Sequence, residues 1–288
     1  MGYFCKRMEE EMMIRGYSPA TLKNYLSSMR GFVKYFMLPP DKLNLEHIKR
    51  YQVYLAKEKK VSYSTFNIRV CAIRFFYKHT IQRDWDVEHI PYQKTAKKLP
   101  VVFNKKEIIA LLNNIRNIEH HAIALTMYAT GARLSEAINL RIADIDSERM
   151  VIHIKEGKGF KDRIVMLSQY LLKELRRYYK LSFPKPLNYL FPGEEMQRPM
   201  SARNVQYFIN KAVARANIKK KASSHTLRHS FATHLLENGV NIRKIQKLLG
   251  HSSLKSTEIY THIAKDFVNK TKSPLDSLLE VHKDNEEV

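Results

Sequence analysis

Apolar residues recur at three- and four-residue intervals along most of this chain, and the rhythm changes once, between Met150 and Leu167, where the period shortens to two. A chain patterned this way must bury helical stripes against one another, with room for only one small piece of sheet. The clearest stripe is Leu22, Tyr25, Leu26, Met29, Phe32, Val33 and Phe36, with Lys23, Arg30 and Lys34 projecting elsewhere. Ser18 is placed to cap that helix and Pro19 fits its first turn. A second helix fits Leu45 to Lys57 and a third fits Ser64 to about Thr80. Further helices are expected at 105–116, 119–129, 131–141, 168–181, 201–216, 225–238 and 241–249. MVIHIK and RIVML flank EGKGFKD and read as a β-hairpin with glycines at its turn. The expected fold class is mainly α with a small β-hairpin, an α+β arrangement.

Hydrophobic residues make up 44% of 288 residues, which supports a genuine core and excludes wholesale disorder. Residues 91–104, PYQKTAKKLPVVFN, combine two prolines, three lysines and no acid, the composition of an exposed linker. This places an N-terminal helical domain at 1–90 and a second domain at 105–288. Lys and Arg number 50 against 28 Asp and Glu, for a net charge of +22. The excess lies on both sides of the linker, so no single basic tail accounts for it. Such a surplus suits a polyanionic partner, because counterions released from phosphates drive binding.

Two cysteines, Cys5 and Cys71, give neither a disulfide framework nor a Cys-based zinc site. No run of roughly 18 apolar residues is present to span a membrane. The start, MGYFCKRMEEEMM, lacks the apolar core of a signal peptide. The expected location is the cytoplasm, in reach of nucleic acid.

Four stretches carry chemistry. In Thr130-Gly131-Ala132-Arg133-Leu134-Ser135-Glu136, Arg133 and Glu136 share a helix face at i and i+3. In Glu156-Gly157-Lys158-Gly159-Phe160-Lys161-Asp162-Arg163, flanking glycines permit a tight turn with the Lys158 ammonium at its apex. In His225-Thr226-Leu227-Arg228-His229, His225 and Arg228 are again three apart and can converge on one anion. In the last stretch Gly250 supplies a left-handed helix stop, so His251 sits at a corner ahead of Tyr260. The histidines do not read as a metal site: His225 and His229 lack the Glu of a zinc-protease helix, and the neighbouring arginine would repel a cation.

Taken in order, Arg133, Lys158, His225, Arg228, His251 and Tyr260 resemble the active-site set of the tyrosine recombinase, or phage integrase, family. TGARLSEAINL, EGKGFKDR, HTLRHSFATHLLENG and LLGHSSLKSTEIYTH carry the likeness, and SPATLKNYLSSMRGFVKYF resembles the family's core-binding domain. The chain is most similar to simple two-domain Xer-type members, with no additional arm-binding domain expected ahead of residue 1.

The resemblance implies a core-binding, SAM-like domain at 1–90 and a catalytic domain at 105–288, closing as a C-shaped clamp on duplex DNA. It implies that Tyr260 attacks a phosphodiester to give a 3′-phosphotyrosyl bond, with strands exchanged through a Holliday junction in integration, excision or dimer resolution. Arg133 and Arg228 would clamp the non-bridging oxygens, planar forked donors suited to that task. His225 would assist proton transfer from Tyr260, His251 would donate to a non-bridging oxygen, and Lys158 would protonate the leaving 5′-oxygen. Glu136 would orient an arginine or His225 from behind. No metal, nucleotide or other cofactor is implied. The implied partners are paired inverted half-sites on double-stranded DNA and three further copies of the chain, with or without a paralogous or accessory protein. Leu275, Leu278 and Leu279 follow Ser273-Pro274 at helical spacing, and the resemblance makes about 274–282 a helix that docks on a neighbouring protomer. Type IB topoisomerases, hairpin-forming resolvases and a non-catalytic DNA-binding protein of the same fold are the alternatives.

Overall fold

The computed structural model describes residues 2–83, 87–94, 99–155 and 162–261. The hairpin apex with Lys158 and the helix expected at about 274–282 lie outside them. Contacts divide the chain into two units, Met1–Lys97 and Lys98–Val288.

The first unit is helical. Helix α2 (Pro19–Phe36) starts where Ser18 Oγ accepts from the Thr21 amide at 3.2 Å, a cap worth about 1 kcal/mol. It stops at Met37, whose φ of 55° turns the chain out of the helix. Helix α3 (Leu45–Lys57) begins with a reciprocal pair: Asn44 Oδ1 accepts from the His47 amide, and the Asn44 amide donates to the His47 ring. Helix α4 (Tyr63–Phe75) is capped by Ser62 and runs into a wider π-type turn over Phe76–Ile81. The stripe expected to end near Thr80 thus changes register at Phe76. Helix α1 (Gly2–Ile14), which the sequence pattern did not announce, buries only Met8 and Met12, too sparse a stripe to signal itself. The core joins those methionines to Phe32, Ile48, Tyr51, Leu55, Val70 and Ile73.

The stretch expected as a linker is built in at both ends. Pro91 and Gln93 carbonyls accept from Gln52 and Asn67 of the first unit. In the second unit, Phe103 is fully buried, its amide donates to Ser230 Oγ at 2.9 Å, and Asn104 caps α5 (Lys105–Asn113).

The second unit centres on α6 (Ile118–Thr130), which buries Ile123, Ala124, Leu125 and Met127. Against it pack α8 (Gln169–Leu181) and α10 (Ser224–Glu237), with α9 (Ala202–Arg215) beside them. The sheet is antiparallel in the order β1 (Ile145–Asp146), β2 (Val151–Ile154), β3 (Arg163–Met166). Ile152, Ile154 and Val165 enter the core; β1 is two residues long, too short to show alternation. The helix expected over 131–141 is only α7 (Leu134–Ile138). Gly131 closes α6 with φ of +65°, and a Cβ there would come within 2.4 Å of the Phe231 ring. Beyond α10, the short α11 (Ile242–Leu249) packs on β3. No helix among the described residues is long and apolar enough to cross a membrane.

Candidate active site

Three guanidiniums are gathered on one carboxylate. Glu136 sits in the first turn of α7, only 6% exposed, and one of its oxygens accepts from the Arg133 amide at 2.7 Å. The Arg133 guanidinium donates to the other oxygen at 2.6 Å. From the start of β3, Arg163 makes two parallel bonds to the same carboxylate, 2.9 and 2.7 Å, while its Nε donates to the Leu248 carbonyl. Arg228 of α10 stands 3.9 Å away, 4% exposed, donating to the Gly131 and Leu249 carbonyls at 2.6 Å each.

The electrostatics follow from this packing. Burial works against the Glu136 charge, but the bonds from Arg163 and Arg133 win and hold its carboxyl at about 2. Arg228 is lowered by burial and by neighbouring Arg133 to about 10, and so stays protonated at neutral pH. One negative charge among three positive ones leaves a fixed positive surplus, the environment an anionic phosphate requires.

The other half of the site is an aromatic hydroxyl flanked by imidazoles. Gly250 ends α11 with φ of +62°, and its carbonyl lies 3.5 Å from Arg133 Nη2. His251 follows at once, its Nδ1 2.9 Å from Oγ1 of the fully buried Thr257. Two 3-10 turns, Leu254–Ser256 and Glu258–Tyr260, then deliver Tyr260 into a pocket of Phe231, Ala232, Leu236, Ile245 and Leu249. Tyr260 is 2% exposed, and its hydroxyl lies 3.0 Å from His229 Nδ1. Burial raises the phenol, although Arg228 and Arg133 pull it the other way. Burial also pushes His229 down to about 4, assisted by His225 and Arg228, and His251 to about 4, assisted by Arg228, Arg133 and Arg163. Both rings are therefore neutral at pH 7.

Arg133, Glu136, Arg228, His251 and Tyr260 thus converge. Lys158 lies outside the described residues, and His225 is exposed in the first turn of α10. The imidazole that meets Tyr260 is that of His229, one turn further along the same face. Arg163 and His229 are the participants that motif reading passed over. Alternation carried a signal for Arg163, since it shares the inner face of β3 with Val165. His225 and His229 are four apart, so any helix face that presents one presents the other. Among the described residues, no group of three or more His, Cys, Asp or Glu side chains is placed to hold a metal ion.

Residues 102–266, which span this whole constellation, match the pattern of the Phage integrase family, and residues 4–87 match the phage integrase N-terminal SAM-like domain. The chain belongs to the phage integrase family. The integrase/recombinase y4qK of Sinorhizobium fredii is 43% identical over 95% of this chain and 88% of its own length. Tyrosine recombinase XerA of Thermococcus kodakarensis is 33% identical, covering 93% of each chain. In fold, the chain is similar to XerH site-specific recombinase bound to palindromic difH substrate in a post-cleavage complex, with a TM-score of 0.71 and 24% identity over 86% of this chain and 78% of that one. As a phage integrase family member of the tyrosine recombinase type, the protein acts in site-specific DNA recombination.

Proposed function

We propose that Tyr260 is the nucleophile that cleaves DNA, forming a 3′-phosphotyrosyl bond and releasing a 5′-hydroxyl, and that the rejoining step reverses this onto a new strand. Arg133 and Arg228 hold the non-bridging oxygens of the scissile phosphate, where charge builds in the pentacoordinate transition state. His251 and His225 donate to or relay protons around that phosphate, and Lys158 protonates the departing 5′-oxygen. Glu136 and Arg163 set the direction of the clamp from behind. The chemistry conserves the ester's energy in the protein–DNA bond, so neither a metal ion nor ATP takes part.

The observation that carries this reading is the Glu136 cluster: a buried carboxylate with three arginines around it, bordering the pocket of one tyrosine. A surplus of buried positive charge is costly unless an anion completes it. Domain roles follow: residues 1–90 grip core DNA, 91–104 link the two parts, and 105–288 catalyse, with about 274–282 joining protomers. Four copies assemble on two sites of inverted half-sites and pass through a Holliday junction, alone or with a paralogous or accessory protein. The work is done in the cytoplasm, on the nucleoid.

The test is a nicked suicide substrate cut from DNA flanking the reading frame. An SDS-resistant adduct on Tyr260, formed in EDTA without ATP and lost in Tyr260→Phe with DNA affinity retained, is the expected result. An adduct that survives Tyr260→Phe, or none with any flanking site, overturns the reading; relaxation of plasmids lacking a site points to topoisomerase activity instead.

A further inference from the structure

The Tyr260 hydroxyl stands where no phosphate can reach it. Nucleophile and phosphorus must approach to about 3 Å in line, yet Tyr260 is 2% exposed and its ring is packed among Phe231, Ala232, Leu236, Ile245 and Leu249. There the hydroxyl meets His229 Nδ1 at 3.0 Å, with the rings tilted and their centroids 5.8 Å apart. We propose that His229 is a positioning residue, which holds the protonated Tyr260 hydroxyl in reserve within the catalytic unit until DNA draws the phenol out. The proposal rests on Tyr260 as the nucleophile.

Two roles are open to an imidazole at this distance, acceptor of the phenol's proton or acceptor of its hydrogen bond. The magnitudes decide. A phenol starts near 10 and burial raises this one, whereas His229 is held at about 4. Leaving the proton on His229 is therefore strongly uphill. The ring is surrounded by charge of the wrong sign for an imidazolium: Arg228 precedes it in α10, His225 lies one turn back, and Arg133 and Arg163 stand behind Arg228. A neutral ring with Nδ1 bare and the proton on Nε2 is the tautomer that accepts from a phenol. His229 stores the hydroxyl and does not strip it.

The segment being stored is built to leave. Tyr260 ends the second of two short 3-10 turns instead of lying on a continuous helix, and the backbone bonds of both stay within the turns. Side-chain anchors fasten it at two points, Tyr260 to His229 and Thr257 to His251. Since His251 is also the residue proposed to donate to the phosphate, its engagement and the release of Tyr260 are linked through one short stretch of chain.

Chemical modification of the DNA-free, full-length protein tests this apart from catalysis. Tetranitromethane nitrates accessible tyrosines, and peptide mass spectrometry reads each site. In the unsubstituted protein Tyr260 is expected to react far more slowly than exposed Tyr170 and Tyr207. His229→Phe keeps the ring's bulk but removes the acceptor, and is expected to nitrate Tyr260 at least fivefold faster. His229→Asn, whose amide oxygen falls near the lost Nδ1, is expected to restore slow reaction. Buried Tyr178 reports on folding in every sample and is expected to stay unmodified. Unchanged Tyr260 nitration in His229→Phe with Tyr178 protected overturns the proposal. So does accelerated nitration that His229→Asn fails to slow, since that pattern belongs to packing alone. Loss of the covalent DNA adduct from the unsubstituted protein strikes instead at Tyr260 as nucleophile, so the two failures are told apart.

Discussion

The arginine half and the tyrosine half of the site are built in opposite ways. Arg133, Arg163 and Arg228 come from the N-cap of α7, from β3 and from α10, elements locked into the core, and a buried carboxylate and backbone carbonyls fix each guanidinium. Tyr260 hangs on two 3-10 turns, held by imidazole contacts at 2.9 and 3.0 Å. On the proposed roles, the anion-binding surface is thus prepared before DNA arrives, while the nucleophile is withheld. A site whose charges need no reorganisation stabilises a transition state well, and one whose nucleophile is buried does not cut by accident.

The contrast is most exposed to failure at Glu136. Glu136→Gln leaves buried guanidiniums without their counter-charge and is expected to cost about 3–5 kcal/mol in urea unfolding, the toll of breaking a buried pair on one side. A loss below about 1 kcal/mol contradicts a preformed arginine half. Next comes Arg228→Lys, which keeps the charge but not the fork. Its cleavage rate on a suicide substrate is expected to fall by about 10²–10³-fold, as for loss of one oxyanion donor, with DNA affinity nearly unchanged. Equal losses in affinity and rate would make Arg228 a binding residue only.

Gly131→Ala probes the joint between the halves. The left-handed backbone and the 2.4 Å approach to Phe231 are expected to lower stability by about 1–3 kcal/mol. On the tyrosine side, pH is the lever. His229 and His251 are held at about 4 in the folded state, below the usual 6.5, so the unfolded chain takes up more protons as pH drops through that window. Stability is expected in full above pH 6.5 and to decline toward pH 4, with a shallower decline in His251→Asn. Glu136 acts lower, losing its contribution as pH falls from 4.5 toward 2. The smallest effect is Thr257→Val, about 1 kcal/mol, or roughly 2–4 °C in Tm.

Much of this was legible in the residues. Helix α3 runs from Leu45 to Lys57 as its spacing predicts, and α2 starts at Pro19 under a Ser18 cap, because those signals are local. Arg133, Glu136, Arg228, His251 and Tyr260 were legible as a set only through the family resemblance; spacing by itself paired Arg133 with Glu136 and His225 with Arg228, and placed His251 at a corner after Gly250. What stayed hidden is tertiary. Nothing local says that Arg163 crosses to Glu136, 27 residues earlier, instead of to solvent. Nor does spacing choose His229 over His225, since burial of Tyr260 by α10 makes that choice. Helix α7 came out short of 131–141 because Gly131 must turn left-handed to bring its carbonyl to Arg228.

The most direct measurement is a structure of the protein on a half-site carrying an intact scissile phosphate. Both the Arg133 and Arg228 guanidiniums are expected to donate to that one phosphate, still backed by Glu136, with the Tyr260 oxygen moved off His229 into line with the bond to be broken. Either guanidinium bound elsewhere, or Tyr260 still seated on His229 in a cleaving complex, would contradict the account.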